Sequence, residues 1–373
     1  MTELLHPIAL DLPARIAFGP GQVAAVASWA RERGITRSLV VTGRSNAARV
    51  GLLGLPGEVA VFGAVKPEPD IANLEAALAL AERFQPQLVV GFGGGSAMDL
   101  AKLVAVLLGS GQMLHDVVDP EKVAGRRVAL VQVATTSGTG SEAGSRALVT
   151  DPATRNKLAV QSRHMVADLA VVDPDLTLSV PAAVTAATGV DALAHCTEAF
   201  TSRKAHPLID LYALEGIRLV GRYLPRAVAD GSDREARAGL ALASLYGGFC
   251  LGPVNTTAGH AVAYPLGTRH HVAHGLACAV VFPHTLAFNA PAVPDKTAMV
   301  MQALGLAAAG DVLEASHRWC AALGIEMRLS HLGVPEDDLP AMAAEAHAIR
   351  RLLDNNPREM SREQILTIYR TAF

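Results

Sequence analysis

Three consecutive glycines, Gly93, Gly94 and Gly95, stand where the β-branched pair Val89-Val90 runs into Ser96-Ala97-Met98-Asp99-Leu100-Ala101-Lys102, a helical segment. With no Cβ atoms in the way, a pyrophosphate can approach this backbone, and the N–H groups opening the helix supply the field that binds it. The segment lacks the GK[ST] of a Walker loop, and it is not a GxGxxG following the first strand. Its alternative is a tight strand-to-helix turn with no ligand. Either way the chain is committed to strand–turn–helix units. Runs over 38–42, 58–62, 87–90 and 128–133 read as strands, each followed by a glycine-containing turn and usually by a helical stretch. Residues 70–82 form an Ala/Leu-rich helix with Asp70 as its N-cap. Strands separated by helices of this length pair in parallel, because parallel strands need crossover connections.

Beyond residue 180 the character changes to Ala- and Leu-rich helical patterns, as over 210–219, 234–245 and 311–323. A length of 373 residues also favours two cores over one. The expected division is an α/β domain over 1–180 and an all-helical domain over 181–373, with the Pro-punctuated segment 173–181 between them. At 50% hydrophobic and 18% charged residues the chain is globular. A net charge of −3 leaves no basic excess for a phosphate backbone or an anionic membrane, so nucleic acid and membrane are not expected partners. Four cysteines without CxxC spacing fit a reducing compartment, and no signal peptide is legible over 1–13, so the expected location is the cytoplasm. Residues 238–268 contain no Asp, Glu, Lys or Arg, but Pro253, Asn255 and Pro265 interrupt them, which indicates buried helices around a site and not a membrane span.

Two further segments carry chemistry. The loop Thr135-Thr136-Ser137-Gly138-Thr139-Gly140 follows a buried strand and offers hydroxyls to a phosphate or a carboxamide; alone it reads equally as a polar turn. In Asp191-Ala192-Leu193-Ala194-His195 the two polar residues are four apart, so a helix stacks both on one face, as a divalent metal requires. The pair also reads as an ordinary Asp with a half-buried His. More histidines follow at His260, His270, His271 and His274. In one straight helix His260 and His274 would lie ~21 Å apart at ~1.5 Å per residue, too far to share an ion. The chain must turn between them, and Pro265 and Gly267 are the expected break.

These motifs, with TAATGVDALAHCTEAF, GHAVAYPLG, HHVAHGLACAVVFPH and the tail NNPRE, resemble the iron-containing (group III) alcohol dehydrogenase family over nearly the whole chain. The resemblance implies a dehydroquinate synthase-like architecture, an α/β dinucleotide-binding domain with a parallel sheet followed by an all-α domain, with the site in the cleft between them. It implies that Asp191, His195, His260 and His274 ligate Fe²⁺, a set that would suit Zn²⁺ equally. It places Gly93, Gly94, Gly95 and Ser96 on the dinucleotide pyrophosphate, with Asp99 and Lys102 completing that motif. Thr135, Thr136 and Thr139 then line the nicotinamide side, and Lys157 and Leu176 border the nucleotide further out. The implied reaction moves a hydride between NAD(P)(H) and a small alcohol, aldehyde or ketone, the metal acting as Lewis acid. A homo-oligomer, as a dimer, is the expected assembly.

Two positions depart from the family pattern. Many NAD-using relatives carry an Asp at the end of the strand over 38–42, where it would bind a ribose 2′-OH and repel a 2′-phosphate; this chain has Gly43 followed by Arg44, which points to NADP(H) with NAD as the alternative. Tyr264 stands where well-known relatives have a His thought to assist proton transfer, and a phenol with an unperturbed pKa of ~10 is a poor acceptor at neutral pH. The relay is then left to water, the cofactor ribose, His270 or His271. The competing reading is reduction of an oxo-dicarboxylate of the maleylacetate type, for which Arg146, Arg269 and His270 would form a cationic pocket.

Overall fold

The computed structural model describes residues 3–154 and 156–373. The chain divides into two compact units: Leu10–Thr136 with Gly140–Leu178, and Met1–Ala9 with Ser137–Thr139 and Ser179–Phe373. This differs from a single cut after residue 180, because the first residues and a tripeptide of the Thr/Ser loop go with the helical unit. The tripeptide does so by close packing: a Cβ at Gly138 would lie 2.8 Å from Thr188 Cβ.

The α/β unit holds strands β1 (Arg15–Phe18), β2 (Arg37–Thr42), β3 (Glu58–Phe62), β4 (Leu88–Gly93), β5 (Asp119–Pro120), β6 (Ala129–Ala134), β7 (Arg146–Asp151), β8 (Asn156–Gln161) and β9 (Leu169–Val172). Six form an all-parallel sheet ordered β1-β9-β6-β4-β2-β3, and β5-β8-β7 form a small separate sheet. Its helices are α1 (Ala25–Glu32), α2 (Arg44–Ala47), α3 (Ile71–Phe84), α4 (Gly95–Leu107) and α5 (Leu114–Val117). Asp70 caps α3 as expected, its carboxylate accepting the Asn73 N–H at 2.7 Å. Apolar clusters cover both faces of the large sheet, which explains why β4 is buried at every residue.

Strand order fixes where a ligand can sit. β3 lies on one side of β2, and the chain then crosses back to place β4 on the other. Such a reversal leaves a crevice outside the carboxyl ends of the strands. Register pairs Thr42 with Phe92 and Gly93 with Ala134, so Gly43, Gly94 and Thr135 all emerge at that one end.

The helical unit contains α6 (Ala182–Thr201), α7 (Pro207–Ala229), α8 (Arg234–Leu251), α9 (Ala258–His270), α10 (His274–Asn289), α11 (Pro294–Ala303), α12 (Val312–Ala322), α13 (Leu339–Ala348), α14 (Arg350–Leu353) and α15 (Arg362–Thr371). Small residues let α6 pack closely: a Cβ at Gly189 would meet Leu224 of α7 at 2.3 Å. The helical stretch His274–Ala292 is long and apolar enough to cross a membrane by composition, but most of it is buried within the protein, as a core helix is.

The expected break at Pro265 and Gly267 is not where the chain turns. α9 runs through both residues and ends at His270. Proline inside a helix removes one hydrogen bond, which flanking turns can absorb, whereas the reversal needs a left-handed residue. His271 supplies it with φ 56°, its N–H donating to Gly267 O at 3.0 Å and the Val272 N–H to Leu266 O at 3.1 Å. The first of these bonds is that of an αL cap.

Candidate metal centre and dinucleotide cradle

Helix α6 stacks Asp191 and His195 one turn apart, α9 contributes His260, and the turn after the cap begins α10 with His274. Their polar atoms converge. Asp191 Oδ1 lies 3.7 Å from His195 Nε2, 3.5 Å from His260 Nε2 and 3.5 Å from His274 Nε2. The His195 and His260 rings stack with centroids 4.7 Å apart. Asp191 is 1% exposed and His260 2%, yet Asp191 Oδ1 and His260 Nε2 have no hydrogen-bond partner. Buried polar atoms left unpaired cost free energy, and a cation among them would satisfy both at once.

The charge pattern is consistent with that. Burial alone would lift the Asp191 pKa, but His195 and His274, then His260, hold it well below the carboxylate range. Burial lowers His195 more than the neighbouring carboxylates raise it, which favours a neutral imidazole with a lone pair to give.

Two residues not singled out from the sequence complete the cluster. Glu198 Oε1 lies 2.6 Å from His260 Nδ1, and its Oε2 accepts the Thr257 N–H at 2.5 Å, the Thr257 hydroxyl at 3.1 Å and the His260 N–H at 3.3 Å. With Nδ1–H donating to Glu198, the arrangement by which carboxylates orient metal-binding histidines, Nε2 of His260 faces Asp191. Burial would lower the His260 pKa, but the neighbouring groups raise it well above its ordinary value, and a cation there would displace the Nε2 proton. Gly259 is required here, since a Cβ would meet Glu198 Oε1 at 2.6 Å. Cys278, one turn after His274 on α10, brings its sulfur into a group with Asp191, His260 and His274 whose ligand atoms all lie within 4.8 Å of one another. Burial pushes its thiol up to about 11. The available signals were the spacings His195 to Glu198 and His274 to Cys278, three and four residues on one helix face.

In the α/β unit the glycine turn fits a dinucleotide. Gly94 caps α4 in an extended conformation with no side-chain cap; the Ala97 N–H donates to Gly94 O, and the N–H groups of Gly95 and Ser96 are left for an anion. A Cβ at Gly94 would sit 3.0 Å from Thr136 Oγ1, and one at Gly93 only 2.8 Å from Ala97 Cβ. Ser96 Oγ accepts the Glu68 N–H at 3.2 Å, and Glu68 pairs with Lys157 Nζ at 2.9 Å, which gathers Lys157 to this turn. Thr135 Oγ1 accepts from Asn46 at 3.1 Å, and Asn46 is held by Arg49, which also donates to Leu176 O. The Leu176 side chain itself is part of the sheet core. Gly43 precedes α2, and Arg44 is exposed. Thr139 belongs to the other unit.

Asp99 and Lys102 are hydrogen-bonded within the protein. Lys102 is fully buried, its Nζ donating to Ser141 Oγ and Arg146 O at 2.8 Å each, while Asp99 accepts from Ser141 Oγ and the Leu148 N–H. They tie α4 to β7 through Arg146 O and the Leu148 N–H.

Residues 13–174 match the family description "Iron-containing alcohol dehydrogenase" and 185–373 match "Fe-containing alcohol dehydrogenase family, C-terminal". The chain belongs to the iron-containing alcohol dehydrogenase family. It is 38% identical to long-chain-alcohol dehydrogenase 1 of Geobacillus thermodenitrificans over 84% of this chain and 82% of that one. It is 34% identical to 1,3-propanediol dehydrogenase of Klebsiella pneumoniae, over 95% and 96%, and 30% identical to the NAD-dependent methanol dehydrogenase of Bacillus methanolicus, over 97% and 98%. Among solved structures, a 1,3-propanediol oxidoreductase superposes with a TM-score of 0.94 at 33% identity, covering 99% and 100% of the chains. A maleylacetate reductase from Agrobacterium tumefaciens superposes with a TM-score of 0.83 at 26% identity, over 99% of each chain.

As a member of this family the protein is an oxidoreductase that exchanges a hydride between a nicotinamide dinucleotide and a small alcohol or its carbonyl counterpart, with iron as the family metal. The cations that would favour a dicarboxylate are otherwise engaged. Arg269 pairs with both Asp338 and Glu345, His270 Nε2 lies 2.7 Å from Asp338 Oδ2, and Arg146 donates to Gln161 at 2.6 Å. Tyr264 is buried against the cluster, its ring 6.0 Å from His274 and 6.4 Å from His260.

Proposed function

We propose that Asp191, His195, His260 and His274 hold Fe²⁺, and that the enzyme interconverts short alcohols and aldehydes or ketones, using NADP(H) in preference to NAD(H). The carrying observation is the convergence of three imidazole nitrogens on Asp191 Oδ1 at 3.5–3.7 Å with two of these atoms buried and unpartnered. A bound ion supplies Lewis-acid polarisation of the substrate oxygen. The chain does the rest. Asp191 contributes the anionic charge, Glu198 fixes the His260 tautomer, and Tyr264, with Arg351 over its ring at 5.6 Å, walls the substrate side and orients it without taking its proton. The small aliphatic side chains of α9 exclude water and set no long acyl specificity of their own.

Seating the pyrophosphate at Gly93, Gly94, Gly95 and Ser96 puts Arg44 beside a 2′-phosphate with no acidic residue at Gly43 to repel it. The methanol dehydrogenase relative is NAD-dependent by name, so the two cofactors are the outcomes to separate. A homodimer is the proposed assembly, and four free thiols suit a reducing cytoplasm.

The test is metal content together with NADH and NADPH oxidation by freshly reduced, iron-loaded protein over short aldehydes and maleylacetate. Metal-dependent aldehyde reduction preferring NADPH is the expected result, with His260→Ala losing both bound metal and turnover. Full turnover and stoichiometric metal in His260→Ala would overturn the ligand set, and a preference for NADH would overturn the role of Arg44.

A further inference from the structure

We propose that Cys278 is a metal ligand, forming with Asp191, His260 and His274 a sulfur-containing set that inclines this site toward a borderline-soft cation such as Zn²⁺ over Fe²⁺. The inference rests on the metal-site reading above and offers Cys278 as an alternative to His195 in the fourth position. Helix α10 places Cys278 one turn from His274, so both side chains leave the same face. Cys278 Sγ lies 3.8 Å from His274 Nε2. A tetrahedral ion with bonds of ~2.3 Å to sulfur and ~2.0–2.1 Å to nitrogen separates those atoms by ~3.5 Å, so the observed spacing needs a shift of a few tenths of an ångström.

Two further observations point to a cation at that spot. Asp191 Oδ1 and His260 Nε2, on residues 1% and 2% exposed, lack hydrogen-bond partners and belong to the same four-atom group as the sulfur. His195 is the odd member: its ring stacks on that of His260, and its Nε2 is slightly further from Asp191 Oδ1 than the other two. Five donors therefore surround a volume that takes four protein ligands, and a soft ion selects the set that includes sulfur. As the sulfur–metal bond forms, the thiol proton leaves to solvent, with no change of oxidation state, so binding releases one proton more than the nitrogen and oxygen set would.

Cobalt(II) is the probe, added to metal-free wild-type protein and to the Cys278→Ala, Cys278→Ser and His260→Ala variants. The expected result is a sulfur-to-cobalt charge-transfer band in the near ultraviolet that both Cys278 variants lose while keeping the visible ligand-field bands. In competition, the preference for Zn²⁺ over Fe²⁺ should fall at least about tenfold in Cys278→Ser. Visible bands in the wild type without the ultraviolet band would overturn sulfur ligation and leave the four-residue site standing. An ultraviolet band that survives both Cys278 substitutions would overturn it too. Unchanged visible bands in His260→Ala would remove the metal site on which the proposal stands.

Discussion

Lys102 and Asp191 are both cut off from water, at 0% and 1% exposed, but the Lys102 ammonium has hydrogen-bond partners within the protein while Asp191 Oδ1 has none. Lys102 spends its ammonium on Ser141 and Arg146, and Asp99 spends its carboxylate on Ser141 and Leu148. Around Asp191, atoms converge with their bonds unmet. The two clusters come from sequence segments of similar appearance, a helix carrying an acid and a base three or four residues apart. What marks the Asp191 cluster is therefore unpaired atoms of different residues converging on one point, not burial or charge; beside Lys102 the unpartnered atom is Glu142 Oε2.

That contrast can be broken from either side. Lys102→Met should destabilise the fold most, by about 3–5 kcal/mol, because it strands buried partners; bound metal per folded chain should be unchanged, and metal loss measured in the folded variant would erase the distinction. Glu142, fully buried beside Lys102, sharpens it through pH. Burial lifts its carboxyl from 4.5 to about 7 against the pull of Lys102. Its neutral form is thus favoured in the folded state, so this contribution is complete below pH 4.5 and is lost as pH rises through about 7. Glu142→Gln should remove up to about 3 kcal/mol of that decline, read as a flatter unfolding midpoint between pH 4.5 and 8. The smallest effect belongs to Glu198→Gln, which keeps the shape but weakens orientation of His260: metal affinity should fall ~10–100-fold with little change in thermal stability of the metal-free protein. Equal metal affinity would reduce Glu198 to a helix tie.

The parts of this molecule legible in sequence are those encoded locally. Alternating strands and helices, the Asp70 cap and the glycine turn each depend on residues within a few positions of one another, and the fold class followed from them. The Asp191 and His195 pair was legible for the same reason, as one helix turn. Selecting His260 and His274 from thirteen histidines needed the family resemblance, because spacing cannot bring α9 and α10 onto α6. Glu198 shares a helix face with His195, but its role was not legible because its partner His260 is 62 residues away. Lys102 reads as a phosphate ligand until β7 arrives to bury it, and Arg269 looks available until Asp338 and Glu345, some seventy residues on, claim it. The break expected at Pro265 failed for a different reason. Proline is a strong local signal, but a helix with packed flanks tolerates it, and the left-handed residue that ends the helix is a histidine, which carries no such label.

The cap at His271 makes the metal cluster a matter of integers. In the proposed centre, His260 and His274 could reach one ion only because a fixed number of helical residues precedes the left-handed turn. Each residue added or removed between them would swing one imidazole by ~100° around its helix axis relative to the other. Evolution can therefore vary the side chains of 261–273 to reshape the substrate wall, but it cannot vary their number, and length invariance in this segment is a geometric signature of a working centre.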